Sequence, residues 1–182
     1  MTLNSGVPVT TTNATNATTI YFAPYASNRC ALYDGANWRQ VQFTEASLSL
    51  GTDAANTNYD LFAYLSGSTL TLERLAWTNQ YDRTTNTTLL NGIEVRSGAS
   101  TRRWLGSYRT TAVIGQTEDS VERRFVSNRY NRVRRLMRVR EDTNTWTYTT
   151  ANYRQANASS ANQLAFLAGT TQQVDATVQA HA

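Results

Sequence analysis

Arginine is the residue type whose number and spacing first suggest chemistry. The chain has 182 residues, and its 17 cationic side chains are all arginine, eight of them between residues 123 and 140. That segment contains no acidic residue and carries +8, whereas the rest of the chain carries −4. Guanidinium groups bind carboxylates and phosphates through paired hydrogen bonds. The segment is therefore predicted to contact a subunit or another partner through Arg123, Arg124, Arg129, Arg132, Arg134, Arg135, Arg138 and Arg140.

Three kinds of anion are candidates for contact with this arginine-rich segment. Carboxylates of the same chain or of a neighbouring subunit are the interpretation that we favour, because the remainder of the chain is acidic. Nucleic acid is a weaker alternative, in which Tyr130 would stack between phosphate contacts. An anionic glycan is the third.

Tryptophan is the second residue type with a chemical use, because indole rings stack on sugar rings. The four candidates for glycan stacking are Trp38, Trp77, Trp104 and Trp146. Most aromatic side chains in β-sandwiches instead fill the core or an interface. Stacking on a glycan therefore requires that these rings be exposed.

The residue types that support catalysis are scarce. The absence of lysine excludes Schiff-base chemistry, and a single cysteine, Cys30, excludes a disulfide within the chain. His181 is the only histidine and lies one residue from the C-terminus, so we expect neither a histidine metal cluster nor a Ser-His-Asp triad within one chain. Among the 13 acidic residues no spacing selects a pair for glycoside hydrolysis. We therefore predict a protein that is not an enzyme and that has no cofactor or metal.

The elements that must position these residues are predicted to be β-strands. Short β-branched and aromatic runs alternate with turn residues, most clearly at 59–65 and 69–75 around Ser66-Gly67-Ser68. About nine or ten short strands, with no repeat of blade length, predict an all-β chain folded as one β-sandwich or jelly-roll domain over residues 19–182. Further strands are predicted at 92–96, 102–113, 145–150, 162–168 and 173–181.

Two segments fit this pattern less well. Residues 1–18 are uncharged and rich in Thr, Asn and Ala, which predicts a flexible or extended N-terminal arm, either disordered or docked on a neighbouring chain. Residues 121–140 show a helical spacing of apolar side chains, but they can also form two strands, at 124–130 and 136–140. We favour strands because the rest of the chain is so consistently β.

No segment resembles a membrane anchor or a leader. Apolar runs reach only three or four residues, far below the roughly 20 that a spanning helix needs. The first residues lack both a basic and an apolar region. We therefore expect a soluble chain that is made in a cytoplasm and does not insert into a membrane.

Several sequence blocks resemble a known family, and together they span about residues 21 to 170. They include Leu32-Tyr33-Asp34-Gly35-x-x-Trp38, Asn58-Tyr59-Asp60-Leu61-Phe62, Ala76-Trp77-Thr78-Asn79, Leu90-Asn91-Gly92-Ile93, Tyr130-Asn131-Arg132-Val133, Trp146-Thr147-Tyr148-Thr149-Thr150 and Arg154-Gln155-Ala156-Asn157. The blocks are similar to those of structural and tail-fibre-like proteins of tailed-bacteriophage virions. The density of arginine between residues 123 and 140 is higher here than in those relatives.

The resemblance implies a location and partners. It implies a non-enzymatic virion subunit, in a fibre, an appendage or a capsid decoration, that is assembled in the bacterial host cytoplasm. We expect a homo-oligomer, with a trimer favoured because symmetric virion sites select closed oligomers, and contacts with capsid, tail or portal-associated proteins. The alternative is a receptor-binding module that recognises a host-surface glycan.

Overall fold

The structure, a computed structural model, describes residues 1–143, 145–147, 149, 151–169 and 172–177. This part of the chain is built from β-strands, with one short 3₁₀ helix at Ala156–Ala158 and no α-helix, which confirms the predicted all-β class. The strands are β1 (Ala14–Ala17), β2 (Thr19–Phe22), β3 (Arg29–Tyr33), β4 (Trp38–Gln42), β5 (Ala46–Ser49), β6 (Asn58–Ser66), β7 (Thr69–Ala76), β8 (Thr87–Leu90), β9 (Ile93–Arg96), β10 (Ala99–Arg109), β11 (Thr117–Asp119), β12 (Arg123–Arg124), β13 (Val126–Asn128) and β14 (Ala165–Phe166).

The largest sheet is antiparallel and has β10 near its centre. Its strands follow the order β7-β6-β10-β9-β8, and β13 also pairs with β10. Strand β10 has 11 residues and its second half is buried, which fits a strand that is paired on both sides. The sheet therefore supplies the scaffold on which the smaller strand pairs pack.

A second layer of smaller sheets covers one face of this scaffold. Two-stranded pairs β2-β5 and β3-β4 contribute Ile20 and Leu32 to a core shared with Leu61 of β6, Leu72 of β7 and Tyr108 of β10. A four-stranded sheet in the order β1-β11-β12-β14 completes the domain. The arrangement is a β-sandwich.

The hairpin of β6 and β7 is the element that local sequence specified best. The two strands pair from Tyr59 opposite Ala76 to Ser66 opposite Thr69, so the connection is two residues rather than the three we expected. Gly67 adopts φ +63°, a left-handed conformation that favours glycine. Alternating leucines in β7 face the core, as their period of two requires.

The N-terminal residues are extended, but they do not form a flexible arm. Met1, Thr2 and Leu3 are buried, and Thr2 exchanges two 2.9 Å backbone hydrogen bonds with Tyr21. Residues Ala14–Ala17 form β1, which pairs with β11 of the same chain. The prediction of a separate arm over residues 1–18 is therefore wrong: a few apolar side chains suffice when neighbouring strands cover them.

The C-terminal third contains fewer strands than we predicted. Segment 121–140 forms only β12 and β13, so neither a helix nor a strand at 136–140 is present. No strand occurs in the described residues of 145–150 or of 173–181, and the remaining residues of those two predictions lie outside the described part. The predicted strand at 162–168 is reduced to Ala165–Phe166, which pairs with β12 in parallel. In the described residues no helix is long and apolar enough to cross a bilayer.

Candidate functional site

The arginine-rich segment begins on the β11-β12 hairpin, and its first cations bind acidic residues of that hairpin. Asp119 lies opposite Arg124 in the ladder, and an Arg124 Nη1 donates to Asp119 Oδ1 at 3.0 Å. Arg123 binds Glu118 at 3.0 Å in the same way. Cross-strand pairs of opposite charge stabilise a sheet locally. These two arginines are therefore engaged within the chain.

Asp119 holds a second arginine and thereby fixes the chain that follows β13. Its other oxygen accepts from Arg135 Nη1 at 3.0 Å, and the carboxylate is almost fully buried. Arg124 also donates to the carbonyl of Leu136 at 2.8 Å, and the backbone N–H of Arg138 donates to the carbonyl of Val121 at 2.9 Å. The segment around residues 135–138 therefore lies along β12 although it forms no strand.

Two further arginines of the segment form ion pairs within the chain. Arg129 binds Glu94 of β9, and Arg140 binds the exposed Asp142. The ring of Tyr130 lies 4.3 Å from the guanidinium carbon of Arg103 in β10. Tyr130 thus packs on an arginine of the body.

Ion pairing within the described chain accounts for five of the eight predicted contact arginines. Arg132 donates to the carbonyl of Arg129 at 3.2 Å. Arg134 and Arg138 are exposed, and their side chains have no partner among the described residues. Within the part of the chain that the structure describes, the predicted carboxylate pairing is therefore largely intramolecular, and Arg134 and Arg138 are the cations of the segment left for a partner.

The same segment and the residues after it expose large apolar side chains. Leu136 is 73% exposed, and Tyr153 is fully exposed. The remaining members of this exposed apolar set in the described residues from 130 onward are Tyr130, Val133, Trp146, Leu164, Phe166 and Val174. We call residues 129–177, in so far as the structure describes them, the C-terminal segment. A concentration of exposed large apolar side chains in one part of a chain favours an interaction surface.

Two of the predicted stacking tryptophans are part of a buried charge cluster. The Arg83 guanidinium lies between the rings of Trp77 and Trp104, 4.9 Å from each ring centroid. Asp60 is buried and accepts from Arg83 Nε at 2.9 Å, from Trp104 Nε1 at 2.9 Å and from the Ser107 hydroxyl at 2.6 Å. Both indole rings are occupied by an arginine of the chain, so the prediction that they stack on a glycan is not supported by their position.

The other two tryptophans are more accessible. Trp38 is half-buried, packs against Tyr33 with ring centroids 5.4 Å apart, and donates from Nε1 to Asn91 at 3.2 Å. Trp146 is 44% exposed and belongs to the C-terminal segment. The four tryptophans are thus not gathered into one aromatic platform.

A polar groove of about 650 Å³ lies beside the β3-β4 hairpin, and the sequence did not indicate it. One wall is β4 and the turn before it, and the other is the β6-β7 turn with the start of β10. The groove residues are Tyr33, Asp34, Arg39, Gln40, Val41, Gln42, Leu65, Gly67, Ser68, Thr101 and Arg102. At this place the sequence predicted the turn at Ser66-Gly67-Ser68 and a strand from residue 102, but no binding site.

Hydrogen bonds fix the charged groups of this groove. The backbone N–H groups of Asn37 and Ala36 and the Arg39 guanidinium bind the Asp34 carboxylate and hold its pKa well below the usual range. Arg102 binds Glu73 at 2.9 Å and lies 4.0 Å over the ring of Tyr64. The acidic and basic groups in the groove are therefore already paired.

A second buried network, also missed by sequence reasoning, stabilises the core. The Tyr108 hydroxyl donates to Asp53 at 2.6 Å, and Arg74 binds the other oxygen of the same carboxylate at 2.5 Å. Burial and the adjacent carboxylate raise the pKa of Tyr108, so its hydroxyl stays protonated and donates. The network joins the loop after β5 to β7 and β10, and all its groups are bound to one another.

The structure bears on possible metal ligands, on the single cysteine and on the single histidine. In the described ranges no three His, Cys, Asp or Glu side chains lie together as metal ligands. Cys30 is buried, and burial raises the pKa of its thiol, which disfavours the reactive thiolate. His181 lies outside the described residues.

Comparison of the chain with protein-family models, with curated proteins and with solved structures finds no match.

Proposed function

We propose that this chain is a non-enzymatic structural subunit of a bacteriophage virion that acts through contacts with further copies of itself and with other virion proteins. The exposed C-terminal segment is the observation that carries the proposal. An ordered segment that leaves large apolar side chains in water gains little from burial against its own domain. A second copy supplies the missing surface, and closed symmetry then gives a homo-oligomer, for which we propose a trimer.

Charge supports the same interpretation. Arg134 and Arg138 extend from the C-terminal segment without partners among the described residues, while Glu122 beside β12 is exposed. Unpaired cations near an exposed acidic group favour complementary contacts between identical subunits. The virion location and the capsid, tail or portal-associated partners rest on the sequence resemblance.

The self-association is tested with two exposed leucines. Light scattering coupled to size exclusion should show a concentration-dependent oligomer of defined stoichiometry for the parent chain. Leu136→Asp should weaken association by about tenfold or more, because a buried leucine contributes about 1.5 to 3 kcal/mol. Leu89→Asp changes a leucine of similar exposure in β8 and should leave the oligomer intact.

Charge reversal at Arg134 and Arg138 tests the electrostatic part. The double variant to Glu should associate more weakly than Arg29→Glu, an exposed arginine outside the segment, and the difference should shrink at high salt. A parent chain that stays monomeric at high concentration, and that electron microscopy does not locate on particles of the encoding phage, would contradict the proposal.

A second function, recognition of a host-surface glycan, is favoured by the polar groove beside β4. The groove offers amide and hydroxyl groups, and none of its lining residues belongs to the C-terminal segment. Retention of glycan binding by a Leu136→Asp monomer would separate this function from assembly.

A further inference from the structure

We propose that the groove beside β4 is a binding site for a neutral oligosaccharide. The inference specifies the second function proposed above and rests on it. Its starting point is the set of polar groups that line the groove and have no partner within the described chain.

The side chains of β4 supply donors and acceptors in fixed positions. Gln40 Oε1 accepts from Arg29 at 3.0 Å, which orients the amide and leaves its NH₂ group to donate. Gln42 is exposed, and its amide makes no hydrogen bond to the described residues. Ser68 on the opposite wall adds a hydroxyl. A sugar hydroxyl both donates and accepts, so it can be bound by this mixture of groups.

The free edge of β4 adds backbone groups to the same surface. Among the described strands β4 pairs only with β3. The Phe43 N–H donates to the Asn28 carbonyl at 2.9 Å, and the Asp34 N–H donates to the Asn37 carbonyl at 3.0 Å. In an antiparallel pair only every second residue bonds to the partner strand, so these two bonds show which residues of β4 bond to β3. By that alternation Gln40 and Gln42 direct their N–H and C=O groups away from β3. These groups provide further hydrogen bonds for a ligand.

Charge selects a neutral ligand over an anionic one. Arg39 is bound to Asp34 and Arg102 is bound to Glu73, so a carboxylate already offsets the charge of each guanidinium and weakens its attraction for a phosphate or sulfate. The ion pairs also fix the positions of these side chains, so less side-chain entropy is lost when a ligand binds. The lining has few apolar side chains, Leu65 and Val41 among them, so it lacks the alternating pockets that an added peptide strand requires.

The test uses the full chain and an array of neutral, sialylated, sulfated and phosphorylated oligosaccharides. We expect binding to neutral oligosaccharides, and titration with one that binds should shift the NMR signals of the backbone amides of Gln40, Gln42 and Ser68. The double variant Gln40→Ala with Gln42→Ala should bind the sugar about tenfold or more weakly, because it removes about one to two hydrogen bonds. Gln80→Ala, an exposed glutamine in the loop after β7, should bind like the parent.

Each other outcome overturns the site in a distinguishable way. Neutral-glycan binding that survives the double glutamine variant keeps the second function and removes it from this groove. Preference for the charged oligosaccharides contradicts the neutral ligand, and absence of binding to the whole array refutes both the site and the second function. If the NMR signals of β4 shift with protein concentration in the absence of sugar, the free edge of β4 pairs with a strand of another copy instead.

Discussion

At the scale of single residues, arginine stabilises this domain mainly through contacts within the chain. Arg83 lies between two indole rings, Arg124 and Arg135 share Asp119, and Arg103 donates to the carbonyl of Ala31 at 2.8 Å. A guanidinium can satisfy a carboxylate and cover an aromatic ring at once, which lysine does less well. The excess of arginine is therefore in large part a property of the fold.

Asp60 gives the first residue-scale prediction. Asp60→Ala should destabilise the protein by about 3 to 5 kcal/mol, because it leaves the half-buried Arg83 guanidinium without its carboxylate and removes the acceptor of two further donors. Urea unfolding measures the loss. Asp175→Ala, an exposed aspartate, should change the free energy of unfolding by less than about 0.5 kcal/mol. A loss for Asp60→Ala as small as that of the control would show that the cluster contributes no net stability.

The amino group of Met1 predicts a pH dependence. Burial lowers its pKa from 8.0 to about 5, while in the unfolded chain it keeps the ordinary value. Between these values the unfolded state binds the additional proton, so the free energy of unfolding should rise with pH from about 5 to 8. Thermal unfolding of a His181→Gln chain, with Met1 verified by mass spectrometry, isolates this group.

Acetylation of the amino group supplies the control for that pH dependence. An acetylated chain has no terminal amine to titrate and should show a flatter profile over the same pH range. An identical slope in both chains would contradict the assignment to Met1.

At the scale of elements, local sequence predicted hairpins well and isolated strands poorly. The β6-β7 hairpin combines alternating leucines with a glycine turn, so its pairing is determined by neighbouring residues. Residues 162–168 are also rich in apolar side chains, yet only Ala165–Phe166 pairs, and its partner β12 lies some 40 residues earlier in the chain. Local composition does not show whether a strand that is distant in the sequence has a free edge for pairing.

The bulge in β10 gives the element-scale prediction. The register with β6 shifts between Trp104 and Gly106, where Gly106 adopts φ +148° and a Cβ would lie 2.1 Å from the Ser127 carbonyl oxygen. Gly106→Ala should therefore cost about 2 to 5 kcal/mol through backbone strain and displacement of β13. Gly169→Ala, whose Cβ would meet only ordinary contacts, should cost less than about 1 kcal/mol in the same urea titration. Equal stabilities would contradict the close packing of β13 on β10.

At the scale of the whole molecule, burial at the two ends of the chain is the reverse of what their composition suggested. The Thr- and Asn-rich N-terminus is built into the core, whereas the C-terminal segment, which contains Trp, Tyr, Leu and Arg, exposes them. The charge of the arginine-rich segment alone led us to predict contacts with carboxylates, and five of its eight arginines form such contacts within the described chain. Which cations remain free depends on Glu94, Glu118 and Asp119, and their positions depend on pairing that sequence spacing does not specify.

Proteolysis tests this arrangement at the same scale. Trypsin can cut only at arginine in this chain, and we expect its first cuts at the exposed arginines at 132, 134, 138 and 140, which lie outside any strand. The arginines of β9 and β10 should resist, as mass spectrometry of a time course will show. First cuts in β9 or β10 would contradict the fold, and slower cleavage at higher protein concentration would support burial of the segment between copies.

The contact between Met1 and Asn128 also determines when the N-terminus can complete its packing during synthesis. The Met1 amine donates to the Asn128 side chain at 2.6 Å, and that side chain returns a 3.0 Å hydrogen bond to the Met1 carbonyl, across a separation of 127 residues. At a ribosomal rate of about 5 to 20 residues per second, Met1 waits on the order of 10 seconds before its partner emerges. Until then the Met1 amine and carbonyl lack their Asn128 partner, so the N-terminal residues complete their packing only after β13 has been synthesised.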